Sequence, residues 1–478
     1  MMGGRSLPPM KLYKQLADDL SVLIRQGTLK PGDRVPSVRE ISRERGMSPA
    51  TVIHAYELLE GEGLIETRPR SGYYVGTPAT TPAPQPRISR PSPRSTLLDV
   101  SELVFEVLES LRNRSVVPMG SAFPSPKLFP LLKLASLLGT SARQMDPWST
   151  VEDLPGGSAE LRRQISRRYL RAGATVSPDE IIITGGALEA LNLSLQALTR
   201  PGDLVAIESP AFYGCLQAVE ALGLKAIEIP THPAHGVDIA YLSRVLDKHP
   251  VRACWFMTNF QNPLGALMPD DARQELIELL EQHDVPLIED DVYSELYFGS
   301  QRPKSTKAFD RKGLVLNCGS FSKSLAPGYR IGWVAAGRFV RAVGRRKVSS
   351  SLSTNIPSQA AIASYLTQGG YDRHLGVLRR TLEDQQKSAL QALRTHLPAA
   401  GFTVTQPQGG YFLWLEFPES VDAIEVHRKA LEAGFSIAPG PIFSARREFA
   451  HCLRINYGHP WTTASERAIK ALGSIVRS

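Results

Sequence analysis

Lys323 stands in a setting suited to carbonyl chemistry. The apolar run Leu314 to Cys318 reads as a buried strand, Gly319-Ser320-Phe321-Ser322-Lys323 follows it, and Tyr329-Arg330-Ile331-Gly332 comes just after. An amine confined at the end of a buried strand loses its solvation, which lowers its pKa and frees it to attack a carbonyl. Ser320, Ser322 and Arg330 add hydroxyls and a fixed positive charge, which is what a phosphate needs. A lysine for an aldehyde beside a phosphate site is the pair of features that pyridoxal phosphate requires. Taken alone, the same five residues also describe a surface lysine between turn serines, so the rest of the chain must decide.

Other stretches supply the missing chemistry, each after a run that reads as a strand. Thr184-Gly185-Gly186-Ala187-Leu188 follows Ile181 to Thr184, and the amides of Gly186, Ala187 and Leu188 would open a helix toward an anion. Phe212 and Tyr213 follow Leu204 to Glu208 and offer a ring to stack on the cofactor. Asn262 comes after Cys254 to Thr258, and Asp290 and Tyr293 after Val285 to Glu289. A carboxylate at Asp290 would keep a pyridine nitrogen protonated, and Asn262 and Tyr293 would hydrogen-bond the ring oxygen. Arg454, on a late strand, has the planar fork that clamps an α-carboxylate; its plainer reading is a strand-surface ion pair.

These runs alternate with amphipathic helices such as Asp270 to Gln282, the βα pattern of a mostly parallel sheet whose ligands gather at the carboxyl ends of its strands. Gly332 to Ala336 is a further strand. Beyond residue 400 the pattern changes to short strands and two helices, an α+β cap. The 478 residues call for two or three domains. Cys215, Cys254, Cys318 and Cys452 have no paired spacing and read as reduced core residues of a cytoplasmic protein, with no metal site. No stretch is apolar and long enough to span a membrane.

Residues 8–76 form a separate unit. Leu12, Leu16, Leu20, Leu23 and Ile24 mark a first helix. Ser37 and Glu40 make a capping box for a second, which ends at Gly46; Ser48 caps a third, with Pro49 at its first position. Two runs at 63–67 and 68–75 read as a hairpin with a basic tip. The whole is a winged helix-turn-helix, whose third helix would enter a major groove by its N-terminal end. The net charge of +8 permits DNA binding without showing it, and Lys30 to Gly76 is balanced in charge. Arg39, Arg43, Arg45, Arg68 and Arg70 nevertheless gather at one edge. Residues 77–97, rich in proline and carrying Arg87, Arg90 and Arg94 without an acid, read as an extended linker. Residues 98–478 form the large domain.

Pro31-Gly32-Asp33-Arg34-Val35-Pro36-Ser37-Val38-Arg39-Glu40, with Gly63-Leu64-Ile65 and Ser71-Gly72-Tyr73-Tyr74-Val75, resembles the GntR-type winged helix. That resemblance implies DNA contacts from Arg39, Ser48, Thr51, Arg70, Ser71 and Gly72. The third helix lacks the arginines some relatives use to read guanine, which leaves Thr51, His54 and the wing for base readout. Gly157-Ser158-Ala159-Glu160-Leu161-Arg162, Asn262-Pro263-Leu264-Gly265, Asp290, Tyr293, Ser322-Lys323 and Arg454 together resemble fold-type I aminotransferases of class I/II. Phe212 stands where many of these have tyrosine. The full chain resembles the MocR/GabR subfamily of GntR regulators. The resemblance implies bound pyridoxal phosphate, a head-to-tail homodimer, operator DNA as partner, and an amine, an amino acid or the cofactor itself as effector. A working aminotransferase carrying a DNA-binding domain is the alternative.

Overall fold

The computed structural model describes residues 12–25, 28–29, 32–61, 64–68, 71–75, 83–110, 115–397 and 401–477, and the chain divides into two compact units between Ala83 and Pro84. In the first unit α1 (Leu12–Arg25) and α3 (Pro49–Gly61) pack together with α2 (Val38–Arg45), and β1 (Ile65–Arg68) pairs antiparallel with β2 (Gly72–Val75). Leu16, Leu20, Val35, Ile41, Val52, Tyr56, Leu59, Ile65 and Val75 form one buried core. The local signals act as expected. Ser37 Oγ accepts from the Glu40 amide while Glu40 caps the Ser37 amide, and Gly46 closes α2 in the left-handed region.

The second unit is built on a nine-stranded sheet in the order β3-β6-β5-β8-β9-β10-β11-β4, with β7 paired to β6. Its members are β3 (Thr96–Leu97), β4 (Ile181–Thr184), β5 (Leu204–Ser209), β6 (Lys225–His232), β7 (Gly236–Val237), β8 (Val251–Phe256), β9 (Leu287–Asp290), β10 (Val315–Ser320) and β11 (Gly332–Ala335). The central run from β6 to β10 is parallel, and β11, β4 and β3 are antiparallel to their neighbours. Strands β4, β5, β9 and β10 are buried along their whole length, as strands of a sheet covered on both faces are, with polar residues gathered toward the carboxyl ends of β5, β9 and β10. A four-stranded antiparallel cap follows, in the order β12 (Thr403–Val404), β13 (Phe412–Glu416), β15 (Cys452–Asn456) and β14 (Ala438–Pro439). All four cysteines are buried and free. No helix among the described residues is long and apolar enough to cross a membrane.

One expectation changes. The described part of the 77–97 stretch, from residue 83 on, is not a free spacer. Thr96–Leu97 forms the sheet-edge strand β3 on β6, the Val404 amide donates to the Pro84 carbonyl (3.0 Å), and Arg446 donates to the Arg94 carbonyl (2.7 Å). The Ser89 hydroxyl donates to the Ser209 carbonyl and accepts from the Thr231 amide (3.0 Å). Proline-rich composition cannot build a core of its own, but its extended backbone suits it to lie along one that already exists.

Candidate functional site: a lysine cavity and a winged head

A cavity of about 1130 Å³ opens at the carboxyl ends of β5, β8, β9 and β10 and is lined by most of the residues expected of it, with Gly186 and Arg454 behind its wall. Gly186, Ala187 and Leu188 start the helix Ala187–Leu198, and its first amides have no helical carbonyl to meet. Gly186 has φ +97°, and a Cβ there would overlap the Arg330 guanidinium. Arg330 donates to Ser322 Oγ (3.2 Å) and to the Gly185 carbonyl (3.3 Å). The Ser320 and Ser322 hydroxyls are 3.0 Å apart. Guanidinium, hydroxyls and free amides thus form one anion cup. Glu189, which sequence reasoning passed over, braces it by accepting from the Gly185 amide and from the buried Lys347 (2.9 Å).

Lys323 Nζ donates to the Ala122 carbonyl (2.8 Å) and lies 3.8 Å over the Phe123 ring. Burial first, then the positive charges of Arg454 and Arg330, pull its pKa down to about 7, against the pull of Asp290. Asp290 ends β9, fully buried. Burial carries its carboxyl up to about 7, and its Oδ1 has no hydrogen-bond partner among the described residues. Asn262 Nδ2 is likewise without one, while Asn262 Oδ1 accepts from Arg454 (3.0 Å). Tyr293 is buried edge-on to Tyr411 (5.4 Å between centroids) and lines the cavity. Phe212 and Tyr213 both line it, their rings 4.8 Å apart; Tyr213 is engaged with Arg454, which leaves Phe212 the less committed ring.

Arg454 is buried on β15, not at a strand surface. It donates to the carbonyls of Gly120 (2.8 Å) and Ser121 (3.3 Å) as well as to Asn262. The segment 120–123, also missed in the sequence, thus offers four successive carbonyls to the site. Asn456 donates to Ser121 (2.9 Å) and Phe123 (2.8 Å), and Tyr411 joins Lys323 on Ala122 (3.0 Å). The short apolar word Met119-Gly120-Ser121-Ala122-Phe123 carries no signal that distinguishes it from an ordinary turn.

In the head, Ser48 Oγ accepts from the Thr51 amide (3.2 Å) and shares a hydrogen bond with the Thr51 hydroxyl (2.8 Å), so both sit at the start of α3. Arg39 is exposed on α2. His54 is exposed on α3; its ring meets Tyr13 edge-on at 4.3 Å and its Nδ1 is 3.4 Å from a Glu57 carboxylate oxygen. Gly72 has φ +104° and Ser71 Oγ bonds the Tyr74 hydroxyl (2.6 Å). Arg68 is placed on β1 by its backbone alone, and Arg70 lies outside the described residues.

The profile of aminotransferase class I and II matches residues 153–472, and that of the bacterial regulatory proteins of the gntR family matches residues 12–75. The uncharacterized HTH-type transcriptional regulator YdcR of Escherichia coli is 48% identical over 98% of this chain and 99% of its own. Among solved structures, the multiple substrate aminotransferase of Thermococcus profundus superposes with a TM-score of 0.73 at 28% identity, over 80% of this chain and 96% of that one. The α-aminoadipate aminotransferase LysN of Thermus thermophilus, complexed with N-(5'-phosphopyridoxyl)-L-leucine, gives 0.71 at 27% identity, over 80% and 98%.

Proposed function

The chain belongs to the class I and II aminotransferase family and carries a gntR-type regulatory domain ahead of it, and from that premise we propose a DNA-binding transcriptional regulator that holds pyridoxal phosphate and senses an amine or amino acid with it. One observation carries the reading: a lysine titrating near neutrality, an unpartnered carboxylate oxygen, an unpartnered amide and an anion cup all face a single cavity. These residues fit the cofactor. Ser320, Ser322, Arg330 and the amides of Gly186, Ala187 and Leu188 would hold its phosphate. Asp290 would hold the proton at its ring nitrogen, Asn262 and Tyr293 its ring oxygen, and Phe212 would cover a ring face. When bound, the group supplies an electron-accepting ring to an amine. Lys323 would hold the group's carbonyl carbon, and its amine lies where it would move a proton at a bound ligand's α carbon.

In the head, Arg39, Ser48, Thr51, His54, Arg68, Arg70, Ser71 and Gly72 contact operator DNA, with α3 entering the major groove by its N-terminal end. Two chains pair head to tail, so that two heads read two half-sites in the cytoplasm. The ligand alters DNA affinity only by binding two states of the dimer unequally. The test starts with colour. The purified chain is yellow, and borohydride fixes a pyridoxyl group on Lys323 in a peptide map. A protein that stays colourless with added cofactor overturns the cofactor reading. Operator affinity indifferent to every amine overturns the sensing.

The depressed pKa of Lys323 also favours a second reading, a working aminotransferase, which multiple turnover with an amino donor and 2-oxoglutarate would reveal. A third variant, in which the cofactor itself is the effector, requires cofactor-free and loaded protein to differ on DNA without any amine.

A further inference from the structure

The cavity is larger than a cofactor needs, and its charged groups are already assigned. Among the described residues lining it, the ionised candidates are Asp290, Lys323 and Arg330. On the reading above, which this inference rests on, Asp290 serves the ring nitrogen, Lys323 the carbonyl and Arg330 the phosphate. Tyr213 and Tyr293 also line the space, and burial raises both, so they stay neutral. What remains of the wall is apolar: Leu108, Phe123, Leu188, Leu191 and Met257. The polar remainder is uncharged, from Ser101, Asn192 and Gln217. Arg454 serves the end that all α-amino acids share, so it does not help to tell one side chain from another.

We propose that the ligand taken up at Lys323 carries an uncharged, apolar side chain in the size range of leucine to phenylalanine. A carboxylate or ammonium on that side chain would give up water against leucine, methionine and phenylalanine surface and, among the described residues of that wall, meet no opposite charge. A benzyl or isobutyl group would bury apolar area instead, and hydrocarbon cavities of this kind are filled by such groups. Phe123 is the wall residue to alter, because it is 47% exposed on a loop and its replacement leaves the core intact.

The test uses the full chain loaded with pyridoxal phosphate, titrated in parallel with L-phenylalanine, L-leucine, L-glutamate and L-lysine while the visible spectrum is recorded. All four share the same α-amino and α-carboxyl groups, so only the side chain differs. The expected result is that phenylalanine or leucine shifts the spectrum at concentrations at least about tenfold below those glutamate and lysine require. Glutamate or lysine acting as tightly as phenylalanine overturns the inference and leaves the amine-sensing reading standing. Silence from all four amino acids overturns the inference, while the amine-sensing reading falls only if the wider set of amines also leaves operator affinity unchanged. Phe123→Arg, which places a cation in the wall, should narrow the gap between phenylalanine and glutamate by about tenfold or more. An unchanged ratio in that variant also counts against the inference.

Discussion

Asp290→Asn should make the cofactor-free protein more stable and the loaded protein worse at holding its cofactor. Burial carries the Asp290 carboxyl from 3.8 up to about 7. The folded state therefore holds this proton more tightly than the unfolded chain does. That advantage is complete below pH 3.8 and is lost as pH rises through 7. At about 1.4 kcal/mol for each tenfold change in equilibrium, the stability given up across the window is roughly 4 kcal/mol. Asparagine does not titrate, so the variant avoids the loss. It still buries a polar group, which returns part of the gain, leaving about 2 kcal/mol at pH 7.5. The assay is chemical denaturation of cofactor-free protein at pH 5 and pH 7.5. Lys323, which turns neutral through about 7, works in the opposite direction and returns up to about 1 kcal/mol by pH 7.5, so the test is the difference between wild type and variant. Wild type should lose midpoint between the two pH values and the variant should lose distinctly less. In parallel, dialysis should strip pyridoxal phosphate from the variant faster. Equal pH dependence in both proteins would refute the burial argument, and undiminished cofactor retention would refute the assignment of Asp290 to the ring nitrogen.

Gly186→Ala should weaken pyridoxal phosphate binding by about tenfold to a hundredfold, because a Cβ at φ +97° overlaps the Arg330 guanidinium that completes the phosphate cup; equilibrium dialysis reads it. Lys323→Met should abolish borohydride trapping yet raise the denaturation midpoint of cofactor-free protein at pH 6, where the wild-type amine is charged in a buried place. Arg39→Ala should lower operator affinity at low salt and reduce the slope of log affinity against log salt by about one, as loss of one phosphate contact requires. His54→Ala should change base preference at the operator while leaving the salt slope unchanged, since an exposed imidazole near the start of α3 would read a base edge and not a phosphate.

Much of this architecture was legible because the chain writes it locally. Strand β4 is found residue for residue, since four consecutive isoleucine and threonine positions between a capped turn and a Gly-Gly pair leave little else to form. The caps at Ser37, Ser48 and Thr462 are also local, each a hydroxyl meeting an amide a few residues on. Strand β8 begins three residues before the expected Cys254, because charged Arg252 breaks the apolar run at an exposed position. The fate of residues 84–97 was illegible for a different reason. Their order comes from Thr231, Ser209 and Val404, residues far along the chain, and composition carries no record of partners at that range. The same holds for segment 120–123, whose contribution is made by carbonyls that every residue has.

Those carbonyls also govern what a dose-response curve on this protein can mean. Arg454 donates to the Gly120 and Ser121 carbonyls, and Gly120 is held against the Ile437 backbone so closely that a Cβ would fall 2.7 Å from it. On the proposed reading, a carboxylate at Arg454 would find Nε unpartnered among the described residues but would compete for the second N–H with a tethered carbonyl that has an effective concentration and no dose. Half-saturation then reports a ratio of two affinities, and the numerator can be changed without touching the ligand. If the chain senses an amino acid as proposed, substitutions at Gly120 or Ile437 would move the concentration at which it responds while leaving the identity of the ligand alone.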